Sequence, residues 1–241
     1  MNLNVSSDPE ELSRRVAAWL VAYISETLKN QDRFTLALSG GNTPRKLYQV
    51  LASDKYRSSI DWSKLHIFWG DERYVPLTDE RNNAKMAYDT LLNHVPVPAE
   101  QIHIMQTDIK PEASALAYEK ILQGYFAGKK HSFDLVFLGL GDNAHTLSLF
   151  PGYPIIHEKN KWVEAFYLVE QKSYRISLTV PVVNKSARLA FLVSGGDKAA
   201  SLYHVMYGEH DPELYPAQIV QPYSDELYWF VDAAAAADIE Q

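Results

Sequence analysis

The stretch FDLVFLGLGDNAHTLSLFPG, residues 133–152, joins a run of apolar residues to a glycine-rich polar loop and ends at Pro-Gly. A continuous apolar run is typical of a strand that is buried on both faces of a sheet. Glycine adopts backbone conformations that other residues resist, and it lets another group approach the main chain closely. The loop therefore either packs unusually or holds a ligand.

Three further segments repeat this arrangement of an apolar run followed by glycines and polar residues. They are FTLALSGG, KLHIFWGDER and ARLAFLVSGGDK. Helical periodicity predicts helices over about 44–53, 83–92, 112–126 and 197–206. A first helix is expected after the capping residue Asp8, with Pro9 in its first turn. The runs WVEAFYLV, YRISLTV and LYWFVD predict three further strands. The alternation predicts an α/β fold with a mostly parallel sheet covered by helices on both faces.

The length suits one large domain or two small ones, and we expect a single domain over residues 1–241 because no Gly/Ser/Pro-rich linker divides the chain. Apolar residues make up 46%, which is enough for a sizeable core, and the net charge of −7 argues against nucleic acid as a partner. No segment resembles a membrane span or a signal peptide, and cysteine is absent. We therefore expect a cytoplasmic protein, and the sequence leaves its oligomeric state open, a monomer included.

Four polar clusters follow the apolar runs at the positions where the strands end. They are SGGNTP, GDER, GLGDNAH and SGGDK. In open α/β sheets, ligands bind beyond the carboxyl ends of the strands. If the strands are parallel, the four clusters share one edge of the sheet, and a single site is the simplest hypothesis.

Two of the strand-to-helix units resemble each other. Residues 39–51 and 194–206 share Ser-Gly-Gly, followed by Leu-Tyr and Val at equal offsets. Such units also converge on similar sequences without a common origin. In either case the pattern predicts two similar turns from a strand into a helix.

The SGGNTP turn has the features of an anion site. Its glycines expose backbone N–H groups, Pro44 suits the first turn of a helix, and Thr43 or Asn42 is expected to cap that helix. The helix dipole favours phosphate at this end. The Gly-Lys-Ser/Thr ending of a Walker A loop is missing. An ordinary strand-to-helix turn is the alternative interpretation.

Cations follow two of the other strands. Lys198 stands at the start of a helix, where the dipole disfavours a cation unless it meets an anion. Arg73 is able to hold phosphate through two parallel hydrogen bonds. Taken alone, Lys198 is more typical of a solvated lysine, and GDER of a surface ion-pair cluster.

The loop after residue 138 also matches the glycine pattern of dinucleotide-binding proteins, but Pro151-Gly152 ends the following segment too early for the long helix that this motif needs. His145 is a candidate general base, because a neutral imidazole can take a proton from water. A structural histidine bonded to the backbone is the alternative. No histidine or cysteine cluster suggests zinc, and no Gly-x-Ser-x-Gly motif supplies a serine nucleophile. Metal-free acid–base chemistry on a phosphorylated small molecule is the class that remains.

These motifs, in this order, resemble the 6-phosphogluconolactonases, within the larger family that includes glucosamine-6-phosphate deaminase. The resemblance runs from SGGNTP through GDERYVPLTDERNNAKM, GLGDNAHTLSLFPG and RISLTVPVVN to SGGDKA. It implies a fold of the deaminase and ribose-5-phosphate isomerase type. It also implies hydrolysis of 6-phospho-D-glucono-1,5-lactone to 6-phosphogluconate, a step of the oxidative pentose phosphate pathway, with no metal or organic cofactor.

The resemblance also implies roles for individual residues. His145 would be the general base that activates water. The phosphate would lie against the first turn and two cations, and the residues concerned are Ser39, Gly40, Gly41, Asn42, Arg73 and Lys198. Asp71 lies where the deaminases carry a catalytic carboxylate, and Arg175 is a further candidate at the substrate end.

The sequence departs from the family before the histidine, where Asn143-Ala144 replaces the usual Asp-Gly. An aspartate there would orient or polarise the imidazole, whereas Asn143 accepts a hydrogen bond without a charge. Ala144 restricts a backbone position that glycine leaves free. Lactone hydrolysis is favoured; an amino-sugar phosphate deaminase or isomerase, and a phosphosugar-binding pseudoenzyme, are the alternatives.

Overall fold

The computed structural model describes residues 2–239, which form two sheets with helices packed around them. The strands within these residues are β1 (Asn2–Ser6), β2 (Phe34–Leu38), β3 (Leu65–Trp69), β4 (Asp71–Arg73), β5 (Leu135–Leu138), β6 (Val163–Leu168), β7 (Ser173–Leu178), β8 (Arg188–Val193) and β9 (Leu227–Asp232). The α-helices are α1 (Pro9–Thr27), α2 (Asn42–Ala52), α3 (Asp54–Arg57), α4 (Asn83–Ala87), α5 (Pro111–Phe126), α6 (Val180–Asn184) and α7 (Ala199–Tyr207). Short 3₁₀ turns and one π-helical turn, Tyr88–Leu92, complete the helical structure.

The larger sheet is parallel throughout and has the strand order β1-β9-β8-β5-β2-β3. The predicted α/β fold with a mostly parallel sheet is thus confirmed. The predicted strands all form, but β1 was not predicted, because its sequence NLNVS is largely polar. It lies at the edge of the sheet, where only β9 pairs with it and its first residues are exposed.

Helices cover both faces of this sheet, as predicted. Along β5, Phe137 packs with α1 and α2, whereas Val136 and Leu138 pack with α5, α6 and α7 on the opposite face. Side chains alternate between the faces of a strand, so a strand that is buried on both sides needs apolar residues at every position. The continuous apolar runs of the sequence follow from this double burial.

A second, antiparallel sheet with the order β4-β7-β6 adjoins the first, and the sequence did not predict it. Gly70 lies between the two sheets. Its N–H donates to Leu38 O at 2.9 Å, and its carbonyl accepts from Leu178 N at 2.8 Å. The GDER segment therefore does not end as a loop, since residues 71–73 continue as β4 and pair with β7.

The helices begin close to the predicted residues. Asp8 caps α1 as expected, because its side chain accepts from Glu11 N at 2.7 Å. The helix predicted over 83–92 forms as α4 followed by the π-helical turn Tyr88–Leu92. The helix predicted over 197–206 forms as the 3₁₀ turn Gly196–Lys198 followed by α7. Within the described part of the chain, no helix is long and apolar enough to cross a membrane.

Candidate active site

A cavity of about 440 Å³ lies at the carboxyl ends of β8, β5, β2 and β3. The four polar clusters meet there, as the hypothesis of a single site predicted. The predicted residues that line it are Ser39, Gly40, Gly41, Asn42, Asp71, Arg73, His145 and Lys198. Asn143 and Arg175 are not among the lining residues. A larger cavity of about 820 Å³ beside α5 contains none of the predicted residues.

The first turn, Ser39–Asn42, joins β2 to α2. Tyr48 of α2 holds it in place, because its hydroxyl accepts from Ser39 N at 3.0 Å and donates to Ser39 O at 2.8 Å. Gly41 is the capping residue and has a φ of +101°, a conformation that favours glycine. The predicted cap by Thr43 or Asn42 is wrong, since no side chain caps α2. Both residues lie inside the helix.

The second turn leads from β8 into the 3₁₀ turn Gly196–Lys198. Its left-handed residue is Gly195, with a φ of +100°, so the helical segment begins one residue earlier in the Ser-Gly-Gly motif than it does after Gly41. The carboxylate of Asp232 accepts from Gly195 N at 3.1 Å. The two turns are similar, as predicted, but they are not superposable residue by residue.

Two contacts hold the polar side chains of the second turn, Ser194 and Lys198. The hydroxyls of Thr43 and Ser194 are 2.8 Å apart, which joins the second turn to the start of α2. Lys198 Nζ lies 2.9 Å from Asp197 Oδ2, so the cation meets an anion from its own turn. The side chain of Lys198 is mostly buried, at 23% exposure, and the alternative of a fully solvated lysine is wrong.

His145 lies in the loop after β5, which is tightly folded and is not followed by a long helix. Gly141 N donates to His145 O at 2.8 Å, and the imidazole stacks on Phe150 with ring centroids 4.1 Å apart. A Cβ at residue 141 would lie 2.0 Å from His145 Nδ1, so this glycine is required by the ring. Gly141 thus serves the histidine loop, and the segment lacks the long helix of a dinucleotide-binding motif.

Asn143 determines which nitrogen of His145 carries the proton. Its Oδ1 lies 2.5 Å from His145 Nδ1 and also accepts from His145 N at 3.3 Å. Because a backbone N–H donates to this atom, it is the amide oxygen, which accepts hydrogen bonds only. The proton therefore resides on Nδ1, and Nε2 keeps the lone pair. Ala144, which lies between Asn143 and His145, has a φ of +58°. This left-handed conformation is strained for alanine and would not be for glycine.

The electrostatic surroundings keep the imidazole neutral. Burial lowers the pKa of His145 to about 4, and the nearby Arg175 and Lys198 act in the same direction. Asp71 and Asp142 oppose them, but they do not offset the loss of water around the ring. At neutral pH His145 is therefore an unprotonated base.

Asp71 is held beside this loop. It is 8% exposed, and its Oδ2 accepts from Ser148 Oγ at 2.6 Å. Its neighbour Glu72 is 1% exposed, so the interpretation of GDER as a surface ion-pair cluster is wrong. Burial raises the pKa of Glu72 to about 7, although three backbone N–H donors favour its charged form.

The two arginines of the site occupy opposed positions on β4 and β7. Arg73 lines the cavity and donates to Arg81 O at 3.0 Å. Its cross-strand partner Arg175 is 4% exposed and bonds to the side chain of Gln171. Arg175 Nε has no hydrogen-bond partner among the described residues. Burial lowers the pKa of Arg175, and Asp71 acts against this shift.

Several lining residues were not singled out as site residues. Seven of them belong to the four polar clusters that were predicted to meet: Thr43, Pro44, Gly139, Leu140, Gly141, Ser194 and Asp197. Five lie outside those clusters and were not predicted: Asn83, Thr146, Leu147, Leu192 and Val193. Asn83 matters most for the geometry, because its Nδ2 donates to Asp71 O at 3.0 Å. The segment RNNAKM follows GDER within the motif that resembles the family, which is the one signal that pointed to it.

Comparison with known proteins agrees with this geometry. Residues 7–229 match the family described as glucosamine-6-phosphate isomerases/6-phosphogluconolactonase. The chain belongs to this family. It is 37% identical over 241 residues to the 6-phosphogluconolactonase of Nostoc sp., with 98% of each chain covered.

Solved structures of relatives have the same fold. The 6-phosphogluconolactonase of Trypanosoma brucei gives a TM-score of 0.87 at 25% identity, and the match covers 99% of this chain and 98% of that one. A monomeric glucosamine-6-phosphate deaminase gives a TM-score of 0.84 at 20% identity, with 99% and 100% covered. The second likeness concerns the fold alone, and it confirms the predicted relation to the deaminase type.

Proposed function

We propose that this protein hydrolyses 6-phospho-D-glucono-1,5-lactone to 6-phosphogluconate, within the pentose phosphate pathway. The observation that carries the proposal is the neutral His145, whose Nδ1 proton is bonded to Asn143 so that Nε2 keeps its lone pair. It belongs to a chain whose curated relative in Nostoc sp. is a 6-phosphogluconolactonase at 37% identity. We propose that residues 1–241 act as one such domain.

His145 takes a proton from water as the water oxygen attacks the lactone carbonyl carbon. The carbonyl oxygen becomes an oxyanion, and the positive charge of Arg175, which already acts on His145, lowers its energy. The ring C–O bond then breaks, and the leaving ring oxygen takes the proton from His145. The product is a carboxylic acid, which ionises at neutral pH, and the base is restored.

The phosphate is proposed to bind at the opposite side of the same cavity. The Ser39–Asn42 turn offers backbone N–H groups at the start of α2, and Arg73 and Lys198 add positive charge. This local charge offsets the net charge of −7 of the whole chain. The substrate is thus held at one end while its carbonyl reaches His145 at the other.

The missing carboxylate at position 143 does not remove the base, because Asn143 makes the hydrogen bond that fixes the tautomer. Amino-sugar deamination is less well supported, since Asn143 cannot transfer a proton as a carboxylate does. The pseudoenzyme alternative is supported only by the absence of that charge. We also propose that the reaction needs no metal or organic cofactor, that the protein acts in the cytoplasm, and that its ligand is a small phosphosugar.

The test is an assay of lactone hydrolysis with freshly generated 6-phosphogluconolactone, corrected for spontaneous hydrolysis. Turnover that survives dialysis against EDTA supports both the activity and its independence from metal. Release of ammonia from glucosamine 6-phosphate would identify a deaminase instead. Binding of 6-phosphogluconate without turnover would identify a pseudoenzyme.

A further inference from the structure

The carboxyl group of Glu72 is buried, and the proposed reaction does not use it. Its Oε1 accepts from Asn83 N at 2.7 Å and from Arg73 N at 2.8 Å, and its Oε2 accepts from Ala84 N at 2.8 Å. Within residues 2–239 no lysine or arginine forms an ion pair with it. Because the three donors are backbone N–H groups of β4 and of the start of α4, this one side chain fixes the placement of those two segments relative to each other.

The segment that Glu72 holds carries Asn83 into the site. Asn83 Nδ2 donates to Asp71 O at 3.0 Å and lies 3.4 Å from Asp71 Oδ1. The Asn83 side chain also packs against Gly40, since a Cβ at residue 40 would lie 1.9 Å from Asn83 Oδ1. Asn83 therefore contacts both the first turn and the carboxylate that faces the histidine loop.

We propose that Glu72 is a positioning residue which, through Asn83, sets the distance between the Ser39–Gly41 turn and Asp71. Its two oxygens fix the start of α4, and the amide of Asn83 transmits that placement to Gly40 and Asp71. Glu72 and Asn83 thus affect the reaction by positioning the site, and Glu72 does not contact the substrate. The inference rests on the proposed function for its kinetic consequence, but its structural part does not.

The first test replaces the transmitting side chain. Asn83→Ala removes the contacts to Asp71 and Gly40, and we expect kcat/KM for the phosphorylated lactone to fall about tenfold. Asn184→Ala is the matched control. Asn184 is 6% exposed against 3% for Asn83, makes two side-chain hydrogen bonds, and lies outside the cavity. It should lower the melting temperature without lowering kcat/KM, and equal losses of kcat/KM in both variants would overturn the proposal.

The second test asks whether Glu72 acts through Asn83. Glu72→Gln places an amide nitrogen, which accepts no hydrogen bond, where one carboxylate oxygen met a backbone N–H. We expect about a tenfold fall in kcat/KM in the wild-type background and little further fall in Asn83→Ala, because residues that act through each other are not additive. Glu72→Asp should lower kcat/KM as much as Glu72→Gln does, because its shorter side chain cannot reach all three N–H groups. Independent, multiplying effects of the two substitutions would contradict the coupling.

Hydrogen–deuterium exchange of the ligand-free protein separates this inference from the proposed function. Asn83→Ala and Glu72→Gln should each speed amide exchange in residues 39–42 about tenfold, and Asn184→Ala should not. Unchanged exchange in residues 39–42 overturns the inference whether or not the protein is active. If the wild-type protein is inactive but the two variants exchange faster than it does, the positioning role is retained and the lactonase is refuted. Faster exchange with normal kcat/KM in an active enzyme would show that Glu72 stabilises the turn without serving the reaction.

Discussion

The two ends of the cavity obtain their shapes in different ways. At the proposed phosphate end, the left-handed positions of the two turns are occupied by Gly41 and Gly195, at φ values of +101° and +100°. At the proposed base end, the left-handed positions on either side of His145 are Ala144 and Leu147, at φ values of +58° and +54°. The first arrangement is without strain for glycine, and the second costs about 1–2 kcal/mol for each residue.

The difference in backbone strain corresponds to the two proposed roles, phosphate binding and general-base catalysis. An anion site needs exposed N–H groups, which glycine turns supply. A base needs one imidazole in one orientation, and the loop around His145 fixes it by a ring stack on Phe150 and a bond to Asn143. Strained residues persist where the surrounding structure determines them, and Ala144 and Leu147 are both buried. Changes at the base end should therefore act on turnover, and changes at the phosphate end on affinity.

The largest effect should come from the base itself. A general base contributes about 10²–10⁴-fold, so His145→Ala should lose at least about two orders of magnitude in kcat while 6-phosphogluconate binds almost as before. His145→Gln should behave alike, because it keeps polarity and some size but has no basic nitrogen. Steady-state kinetics and calorimetric binding measure the two quantities. Near-normal turnover in either variant would remove His145 from the mechanism.

At the phosphate end, Arg73→Ala and Lys198→Ala should act on binding. Hydrogen bonds to charged groups contribute roughly 1.5–3 kcal/mol, so each change should weaken 6-phosphogluconate binding by about ten- to a hundredfold. The preference for phosphorylated over unphosphorylated lactone should narrow as well. Lys64→Ala, an exposed lysine outside the cavity, is the control for the change in net charge. Equal losses for both ligands would mean that the phosphate binds elsewhere.

The sequence predicted the turns that line the cavity better than the contacts of Glu72 behind them. Continuous apolar runs and the glycines after them are local signals, and they identified four strands whose ends form the cavity. The burial of Glu72 is not local, because its partners Asn83 and Ala84 lie eleven and twelve residues further along the chain. The polar segment GDER is as consistent with a surface as with this interior.

The position of Arg175 was equally inaccessible to sequence reasoning. Arg175 pairs with Arg73 through the register of β4 and β7, in a second sheet that begins where Gly70 leaves the first. Residues 71–73 form a strand only because β7 is present to pair with them. The Ser-Gly-Gly motifs likewise predicted two similar turns, but not the shift of one residue between Gly41 and Gly195.

A smaller effect should follow from restoring the carboxylate at position 143. The neutral imidazole is the active form, so the acidic limb of the wild-type pH–rate profile should lie near the His145 pKa of about 4. Asn143→Asp adds an anion beside Nδ1, which favours the protonated ring and raises that pKa. The limb should move to higher pH, and kcat at neutral pH should rise severalfold.

Two outcomes of that experiment would contradict this view of Asn143. Restoration of activity by several orders of magnitude from an inactive wild type would make the carboxylate essential and the natural protein a pseudoenzyme. Inactivity of both forms would refute the lactonase itself. Asn143→Ala is the complementary variant, because it removes the hydrogen bond that fixes the tautomer and should lower kcat.

The smallest effect should appear in stability, at Ala144. Relief of its left-handed strain by Ala144→Gly gains about 1–2 kcal/mol. Removal of the buried methyl group lowers the free energy of unfolding by about 0.8 kcal/mol. The greater chain entropy of glycine in the unfolded state lowers it by about a further 0.5–1 kcal/mol. These contributions nearly cancel, so the melting temperature should change by less than about 2 °C. Ala190→Gly, in the interior of β8 and equally buried, has no strain to relieve and should lower it by about 3–6 °C. A fall as large for Ala144→Gly as for Ala190→Gly, measured by calorimetry, would show that the base end carries no strain and that the two ends of the cavity do not differ in this respect.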